Sequence, residues 1–234
     1  MAEITLEIGK TTAMIETNGA VVSALYDGEG AVLFSRGSLE NAQGDKKQRG
    51  GCHVCVPNFG PGGASGLSQH GFGRELAWGV AAQTDTSLEL LLTTTDETYR
   101  GLTARLNYHL QETSFLMELT LTNSGDTPLA VAPAFHPYFA HAGAVELNET
   151  ALDLAALEGT EFVRGDHQTL AVAGRTLTLT SENLPVWAVW TDQLADYVCV
   201  EPSHSGNSFV ETTHGTPRQL ANAETARYSC AIDW

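Results

Sequence analysis

Residues 106–123 read LNYHLQETSFLMELTLTN and alternate apolar with polar side chains. Leu106, Tyr108 and Leu110 occupy every second position, and the same spacing returns from Phe115 to Leu121. Because successive side chains of a β-strand point to opposite faces, this spacing is typical of strands with one buried face. The stretch is therefore predicted to form half-buried strands.

The same alternation recurs at residues 4–8 and 177–179. Clusters of Gly, Asn, Asp and Ser, which favour turns, separate the apolar segments. They occupy residues 17–19, 27–30, 123–126 and 205–207. This pattern predicts an all-β fold, a large antiparallel β-sandwich with little helix. One or two helical turns are expected only in ALDLAALEG, residues 151–159, which ends in Gly159.

The chain has 234 residues, of which 42% are hydrophobic, enough for a sizeable core. No repeat or low-complexity linker divides it, and the Gly- and Pro-rich residues 57–66 are interpreted as a loop. A single domain spanning residues 1–234 is therefore predicted. A monomer is the default expectation.

Composition also bears on partners and location. The formal net charge of -16 argues against nucleic acid, whose phosphates are bound mainly by Lys and Arg. No apolar run is long enough for a membrane span, and the N-terminus lacks the basic start of a secretory signal, so a cytoplasmic protein is expected. Residues 36–74 nevertheless hold five of the twelve basic residues. That concentration indicates either a small anionic ligand or solvated loop charges.

Four cysteines are too few for a disulfide framework in a chain of this length, so free thiols are expected. Cys52, His53 and Cys55 have a spacing that metal sites also use. However, Cys-His-Val-Cys-Val is typical of a strand, in which residues three apart point to opposite faces. No metal is predicted.

Four stretches set polar or ionisable residues among apolar, aromatic or glycine neighbours. Glu201 follows an apolar run and precedes Pro202, a setting in which a charge usually has a partner. His136 lies among Phe, Pro and Tyr, which would desolvate its imidazole and shift its pKa. Each residue alone could be structural. His136 could be a hydrogen-bonded histidine of the core, and Glu201 could cap a loop or pair with an arginine. The stretches are RGGCHVCVPNFGPGG (49–63), SQHGFGRELAW (68–78), PAFHPYF (133–139) and YVCVEPSHSGNSF (197–209).

In this order and spacing, the four stretches resemble the aldose 1-epimerase, or mutarotase, family. The likeness is closest to its hexose-6-phosphate epimerase branch, whose members carry RGG with P-x-FG, QHGFAR, H-x-YF and VCVEP. It covers residues 45–205, and Gly73 replaces the alanine of QHGFAR. The resemblance implies a galactose mutarotase-like sandwich that opens and recloses a sugar ring, without a metal or cofactor.

By residue, the resemblance implies that His136 is the general acid and Glu201 the general base. It also implies that Arg49, Gln69, His70 and Arg74 bind the sugar and its phosphate. An imidazole and a carboxylate, with reference pKa values of ~6.5 and ~4.3, can be oppositely protonated near neutrality, as ring opening requires.

The Asp-Arg-x-Tyr tetrad with which the family binds sugar hydroxyls does not occur in this sequence. Asp166 is the positional candidate for its aspartate, and Asp192 is the second candidate. Two other functions remain open at this point. One is a non-catalytic carbohydrate-binding sandwich, and the other is a sugar hydrolase or lyase that uses Asp192 or Tyr197 beside Glu201.

Overall fold

The computed structural model describes residues 2–94 and 96–234, and nearly all of its regular structure is β. A 3-10 helix spans Gly63–Ser65. The strands are β1 (Glu3–Ile8), β2 (Thr11–Glu16), β3 (Val21–Tyr26), β4 (Gly37–Glu40), β5 (Lys46–Arg49), β6 (Cys52–Cys55), β7 (Gly79–Gln83), β8 (Ser87–Thr93), β9 (Leu102–Leu110), β10 (Ser114–Asn123), β11 (Leu129–Val131), β12 (Ala134–Ala140), β13 (Glu146–Leu147), β14 (Thr150–Ala151), β15 (Glu161–Arg164), β16 (His167–Val172), β17 (Arg175–Glu182), β18 (Val186–Trp190), β19 (Tyr197–Ser203), β20 (Arg218–Leu220) and β21 (Thr225–Asp233).

Two large antiparallel sheets form the sandwich, which confirms the predicted fold class. The eight-stranded sheet has the order β1-β2-β3-β6-β12-β19-β18-β15. The nine-stranded sheet has the order β14-β13-β16-β17-β21-β10-β9-β8-β7. Two small two-stranded sheets lie outside them, the β4–β5 hairpin and the pair of β11 with β20.

The main core lies between the sheets. Alternate residues of β9 and β10, from Leu106 to Leu121, are buried there as the sequence pattern predicted. Each such side chain contributes roughly 1.5 to 3 kcal/mol relative to an exposed one. Phe135 of β12 and Val200 of β19 enter the same core from the facing sheet.

The central strands of the eight-stranded sheet are buried on both faces. Every residue of β6 and β19 is buried, and so are all but the last of β12. One face packs on the main core, whereas the other carries separate small clusters, such as Tyr138 with Tyr197 and Cys199. We call this second face the outer face, and loops and the β4–β5 hairpin cover it.

The helical turns expected at residues 151–159 are absent from the structure. The segment starts inside β14 and continues into a turn, where the Asp153 side chain accepts hydrogen bonds from the amides of Ala155 and Ala156 at 3.2 Å. So short a stretch cannot recover the cost of helix nucleation, and the aspartate stabilises the turn instead.

Across residues 2–94 and 96–234, no helix is long and apolar enough to cross a membrane.

Candidate active site

Strand register places three ionisable residues in one row on the outer face. The β6–β12 pairing sets His53 directly opposite His136. The β12–β19 pairing joins Ala134 to Ser203 and Tyr138 to Cys199, and this register brings His136 opposite Glu201. His53, His136 and Glu201 therefore lie side by side on three adjacent strands, although they are far apart in sequence.

His136 and Glu201 form a close, buried pair. His136 Nε2 lies 3.3 Å from Glu201 Oε2, and the side chains are only 6% and 2% exposed. Within the described residues, His136 Nδ1 and Glu201 Oε2 are buried without a hydrogen bond of good geometry. Buried polar atoms are seldom left unpaired, and both residues line the cleft described below, so a ligand in that cleft is a candidate partner.

Burial shifts the pKa of each partner toward its neutral form. It raises the pKa of Glu201 well above the ordinary carboxyl value. Burial, and then the charges of His53, His70 and Arg74, lower the pKa of His136 well below the ordinary imidazole value. In the unliganded site a neutral carboxylic acid and a neutral imidazole are thus favoured, instead of the carboxylate and imidazolium expected from reference values.

His70 joins the pair from a loop. Its ring centroid lies 5.0 Å from that of His136, and the two rings meet edge to face. The Gly60 amide donates to His70 Nδ1 at 3.3 Å, so the neutral ring carries its proton on Nε2. With this tautomer the 3.3 Å contact between His70 Nε2 and Gln69 Nε2 is not a hydrogen bond, because both nitrogens carry hydrogen. Burial and the charge of Arg74 lower the pKa of His70 to about 3, which keeps the ring neutral.

Glycines allow these loops to approach the sheet closely. Gly71 has a φ of 69°, and a Cβ there would lie 2.1 Å from the carbonyl oxygen of Val56. Gly50 has a φ of 90°, and a Cβ there would lie 2.3 Å from the carbonyl oxygen of Ser35. Any larger residue would displace the loops that carry His70 and Arg49.

Arg49 lies at the end of β5, over the outer face. Its Nε donates to Asp192 Oδ2 at 2.8 Å, and its guanidinium lies 5.5 Å from the ring centroid of Trp190. The Tyr197 hydroxyl donates to the other oxygen of Asp192. Burial opposes the charge of Arg49, but the hydrogen bond to Asp192 and neighbouring charges outweigh it and raise the pKa of Arg49.

Together these residues line a cleft of about 720 Å³. His53, His136 and Glu201 lie on the sheet, whereas the β4–β5 hairpin and the loop of residues 69–75 contribute polar and basic residues. Five of the lining residues are Arg36, Lys47, Gln69, His70 and Arg74. Among the described residues, Arg74 forms no ion pair, so its guanidinium is available to an anion.

The structure gathers the candidate site residues into this cleft except the two aspartates, Asp166 and Asp192. Asp166 does not line the cleft. Its side chain is 86% exposed in the turn between β15 and β16, where it bonds His167 at 2.9 Å. Asp192 is the aspartate that lies close to the cleft, since it holds Arg49. The structure therefore places the positional candidate for the tetrad aspartate away from the cleft.

The structure also separates the cysteines of the C-x-x-C spacing. Cys52 packs in the main core, with its sulfur 3.7 Å from that of Met117, whereas Cys55 packs with Phe59 on the outer face. The opposite-face interpretation is confirmed.

Another group could offer metal ligands, because single donor atoms of His136, Cys199 and Glu201 lie within 4.8 Å of one another. Burial, and then the charge of Glu201, raise the pKa of the Cys199 thiol well above its ordinary value. A protonated thiol is a poor ligand, so we do not assign a metal to this group.

Sequence reasoning missed three residues that face the cleft, His53, Tyr138 and Trp190. Strand parity is the signal that could have identified two of them. Tyr138 is two residues beyond His136 on β12, and His53 faces away from the core residue Cys52. Trp190 ends β18, where its ring lies beneath Arg49.

A family model described as aldose 1-epimerase matches residues 3–185. The chain belongs to the aldose 1-epimerase family. Membership implies an isomerase that acts on a small-molecule sugar. A comparison with curated protein sequences found no match.

Several solved structures share the fold over nearly the whole chain. A candidate aldose 1-epimerase from Escherichia coli K12 has a TM-score of 0.81 at 15% identity, over 99% of this chain and 98% of that one. A galactose mutarotase-like protein from Lactobacillus casei ATCC 334 has a TM-score of 0.79 at 17% identity, over 99% of both chains. A galactose mutarotase related enzyme from Lactobacillus acidophilus has a TM-score of 0.80 at 15% identity, over 99% and 97%. At such identities the likeness concerns the fold.

Proposed function

We propose that this family member interconverts the α and β anomers of a hexose 6-phosphate, with His136 and Glu201 as its acid and base. The observation that carries the proposal is the buried His136–Glu201 pair, 3.3 Å apart on the floor of a cleft with a basic rim. Ring opening needs one group that gives a proton and another that takes one, both within reach of the same hemiacetal.

The pair holds one mobile proton in either of two arrangements. Glu201 is a carboxylic acid beside neutral His136, or Glu201 is a carboxylate beside an imidazolium. Transfer over 3.3 Å converts the first arrangement into the second without a change in net charge. A bound sugar favours the second, because its ring oxygen accepts from the imidazolium and its anomeric hydroxyl donates to the carboxylate.

The reaction then follows in balanced steps. His136 protonates the ring oxygen as the C1–O5 bond breaks, and Glu201 removes the proton of the anomeric hydroxyl, which becomes the C1 aldehyde oxygen. Rotation about the C1–C2 bond presents the other face of the aldehyde to the C5 hydroxyl. Closure reverses both transfers, so that O5 returns its proton to His136 and the new anomeric oxygen receives one from Glu201.

The neighbouring residues suit substrate binding rather than proton transfer. His70 carries its proton on Nε2, which provides a neutral donor to a sugar oxygen, and the exposed Gln69 amide adjoins it. Arg74 offers planar donors suited to phosphate oxygens, and Trp190 and Asp192 hold Arg49 in place.

Phosphate specificity is supported by the basic residues that line the cleft of a strongly acidic protein. Arg36, Lys47, Arg49 and Arg74 all lie on its wall, whereas the chain as a whole has a formal net charge of -16. Local positive charge in an acidic molecule favours a small anion over a polyanion.

The hydrolase alternative fits the structure less well. It needs a second carboxylate or a tyrosine that is free to act beside Glu201. Asp192 is already bound by Arg49 and Tyr197, and the Tyr197 hydroxyl is used in that contact.

The test is exchange NMR of glucose 6-phosphate and of glucose, in which saturation moves between the C1 protons of the two anomers. We expect faster exchange with the protein than without it, and the larger increase for the phosphorylated sugar. Exchange at the spontaneous rate, with sugar signals that still broaden on binding, would identify a carbohydrate-binding domain instead. An equal increase for both sugars would retain the epimerase and exclude phosphate specificity.

A further inference from the structure

His53 lies beside the acid–base pair but has no part in the proposed proton transfers. Its ring stacks on that of His136, with centroids 4.6 Å apart and an interplanar angle of 27°. The residue is only 9% exposed, yet it lines the cleft. Its Nε2 is buried and finds no hydrogen-bond partner within the described residues. A buried polar atom that is left unpaired destabilises the fold, which is a reason to look for its ligand.

The position of His53 in the row indicates what that ligand is. Glu201, His136 and His53 lie on β19, β12 and β6, in that order across the sheet. In the proposed reaction Glu201 meets the anomeric oxygen, and His136 meets the ring oxygen. The ring oxygen joins C1 to C5, and C5 carries the exocyclic C6. One edge of a hexopyranose therefore presents O1, O5 and the C6 oxygen in the same order as the row.

We propose that His53 Nε2 hydrogen-bonds the exocyclic oxygen on C6, and that this contact makes the site prefer hexoses to pentoses. The inference rests on the proposed function, because the roles of Glu201 and His136 set the orientation of the sugar. Neighbouring strands lie about 4.8 Å apart, so adjacent side chains of the row are close enough to contact successive oxygens of one sugar. A C6 hydroxyl both donates and accepts, so it satisfies either neutral tautomer of His53, whereas the ester oxygen of a 6-phosphate only accepts and needs the tautomer with its proton on Nε2.

Charge around the row agrees with this orientation. Burial, and then the charges of His70, Arg74 and Arg36, lower the pKa of His53, whereas the raised pKa of Glu201 comes from burial. Arg74 lowers the pKa of His136 as well, and Arg36 and Arg74 both line the cleft that holds the row. A phosphate on C6 would extend beyond His53 toward these arginines.

The experiment compares two cyclic polyols that cannot mutarotate because they lack the anomeric hydroxyl. 1,5-Anhydro-D-glucitol carries the C6 hydroxymethyl group, and 1,5-anhydroxylitol lacks it. NMR titrations give the dissociation constants of both for wild type and for His53→Phe, which keeps an aromatic ring beside His136 but removes Nε2. His109→Phe is the matched control, because His109 lies on β9 in the other sheet.

We expect wild type and His109→Phe to bind the anhydroglucitol more tightly, by roughly threefold to tenfold for one neutral hydrogen bond. His53→Phe should bring the two dissociation constants close together, and His53→Gln, which retains a donor and an acceptor, should restore part of the difference. In anomer exchange, His53→Phe should raise the KM for glucose.

Two results would overturn the assignment. One is a wild type that binds both polyols equally, and the other is a His53→Phe variant that keeps the full wild-type preference. Both results come from non-reacting ligands. They are therefore independent of whether wild type accelerates anomer exchange, which is what tests the proposed function itself.

Discussion

Replacing Glu201 by glutamine should separate catalysis from stability. The substitution keeps the size and shape of the side chain but removes its capacity to take a proton. A positioned base contributes on the order of 10² to 10⁴ in rate, equivalent to about 2.7 to 5.4 kcal/mol of activation free energy. We therefore expect protein-dependent exchange between the anomers of glucose 6-phosphate to fall by a factor in that range.

Stability should not fall with it, since the Glu201 side chain is only 2% exposed and burial raises its pKa. A carboxyl whose pKa is raised by folding contributes stability below its unfolded-state pKa and loses that contribution as the pH rises through the folded value. At mildly alkaline pH the buried carboxylate thus costs stability in wild type, and a neutral amide does not carry this cost. Glu201→Gln should consequently melt at the wild-type temperature or above it.

Saturation-transfer NMR and thermal unfolding of the same samples measure both quantities. Glu182→Gln is the matched control, because Glu182 is exposed on β17 in the other sheet. The reasoning would be refuted if Glu201→Gln retained the wild-type exchange rate. It would also be refuted if activity and melting temperature fell together, because Glu201 would then be needed for the fold.

Other predictions concern the phosphate, pH and metals. Arg74→Ala should raise the KM for glucose 6-phosphate by roughly tenfold to a hundredfold, because it removes one charge-assisted hydrogen bond, and should raise the KM for glucose less. Equal increases of the two KM values in steady-state kinetics would contradict the phosphate role. The pH–rate profile should fall on the alkaline side, where the pair loses its mobile proton. It should also fall on the acid side, where His136 is protonated while Glu201 keeps its proton, so that the pair holds two protons. Because the pKa of His136 is lowered, activity should persist at about pH 5.5, below the ordinary imidazole pKa of about 6.5. A rate that is unchanged from about pH 5 to about pH 9 would exclude a titrating pair. Dialysis against a chelator should leave the exchange rate and melting temperature unchanged, and a loss that zinc restores would reopen the metal assignment.

The fold followed from local physics that the sequence displays directly. The alternation of apolar residues in β9 and β10 identifies half-buried strands without any knowledge of their partners. The helical expectation at residues 151–159 failed because the apolar residues there suit a turn as well as a helix. Asp153 decides the outcome by bonding two amides of the turn.

Candidate site residues that belong to sequence motifs could be predicted, whereas contacts that depend on strand pairing could not. His136 and Glu201 could be selected because each stands among apolar neighbours in its own segment. Their 3.3 Å separation depends on the register of β12 against β19, which no single segment encodes. The same holds for His53, which becomes interesting only once β6 is placed beside β12. Asp192 was weighed in the sequence, but its contact with Arg49 spans 143 positions of the chain.

The arrangement divides the work between sheet and loops. Glu201, His136 and His53 are fixed by ladders of buried strands, so their mutual distances resist change in the covering segments. Arg74 and His70 instead belong to a loop that reaches the sheet through glycine-dependent contacts. Substitutions in that loop should therefore alter how tightly a sugar binds, and hence KM, while kcat for a sugar that still binds depends on Glu201 and His136 in the sheet. Such a division would allow the proposed acid–base pair to serve different sugars when only the loops differ.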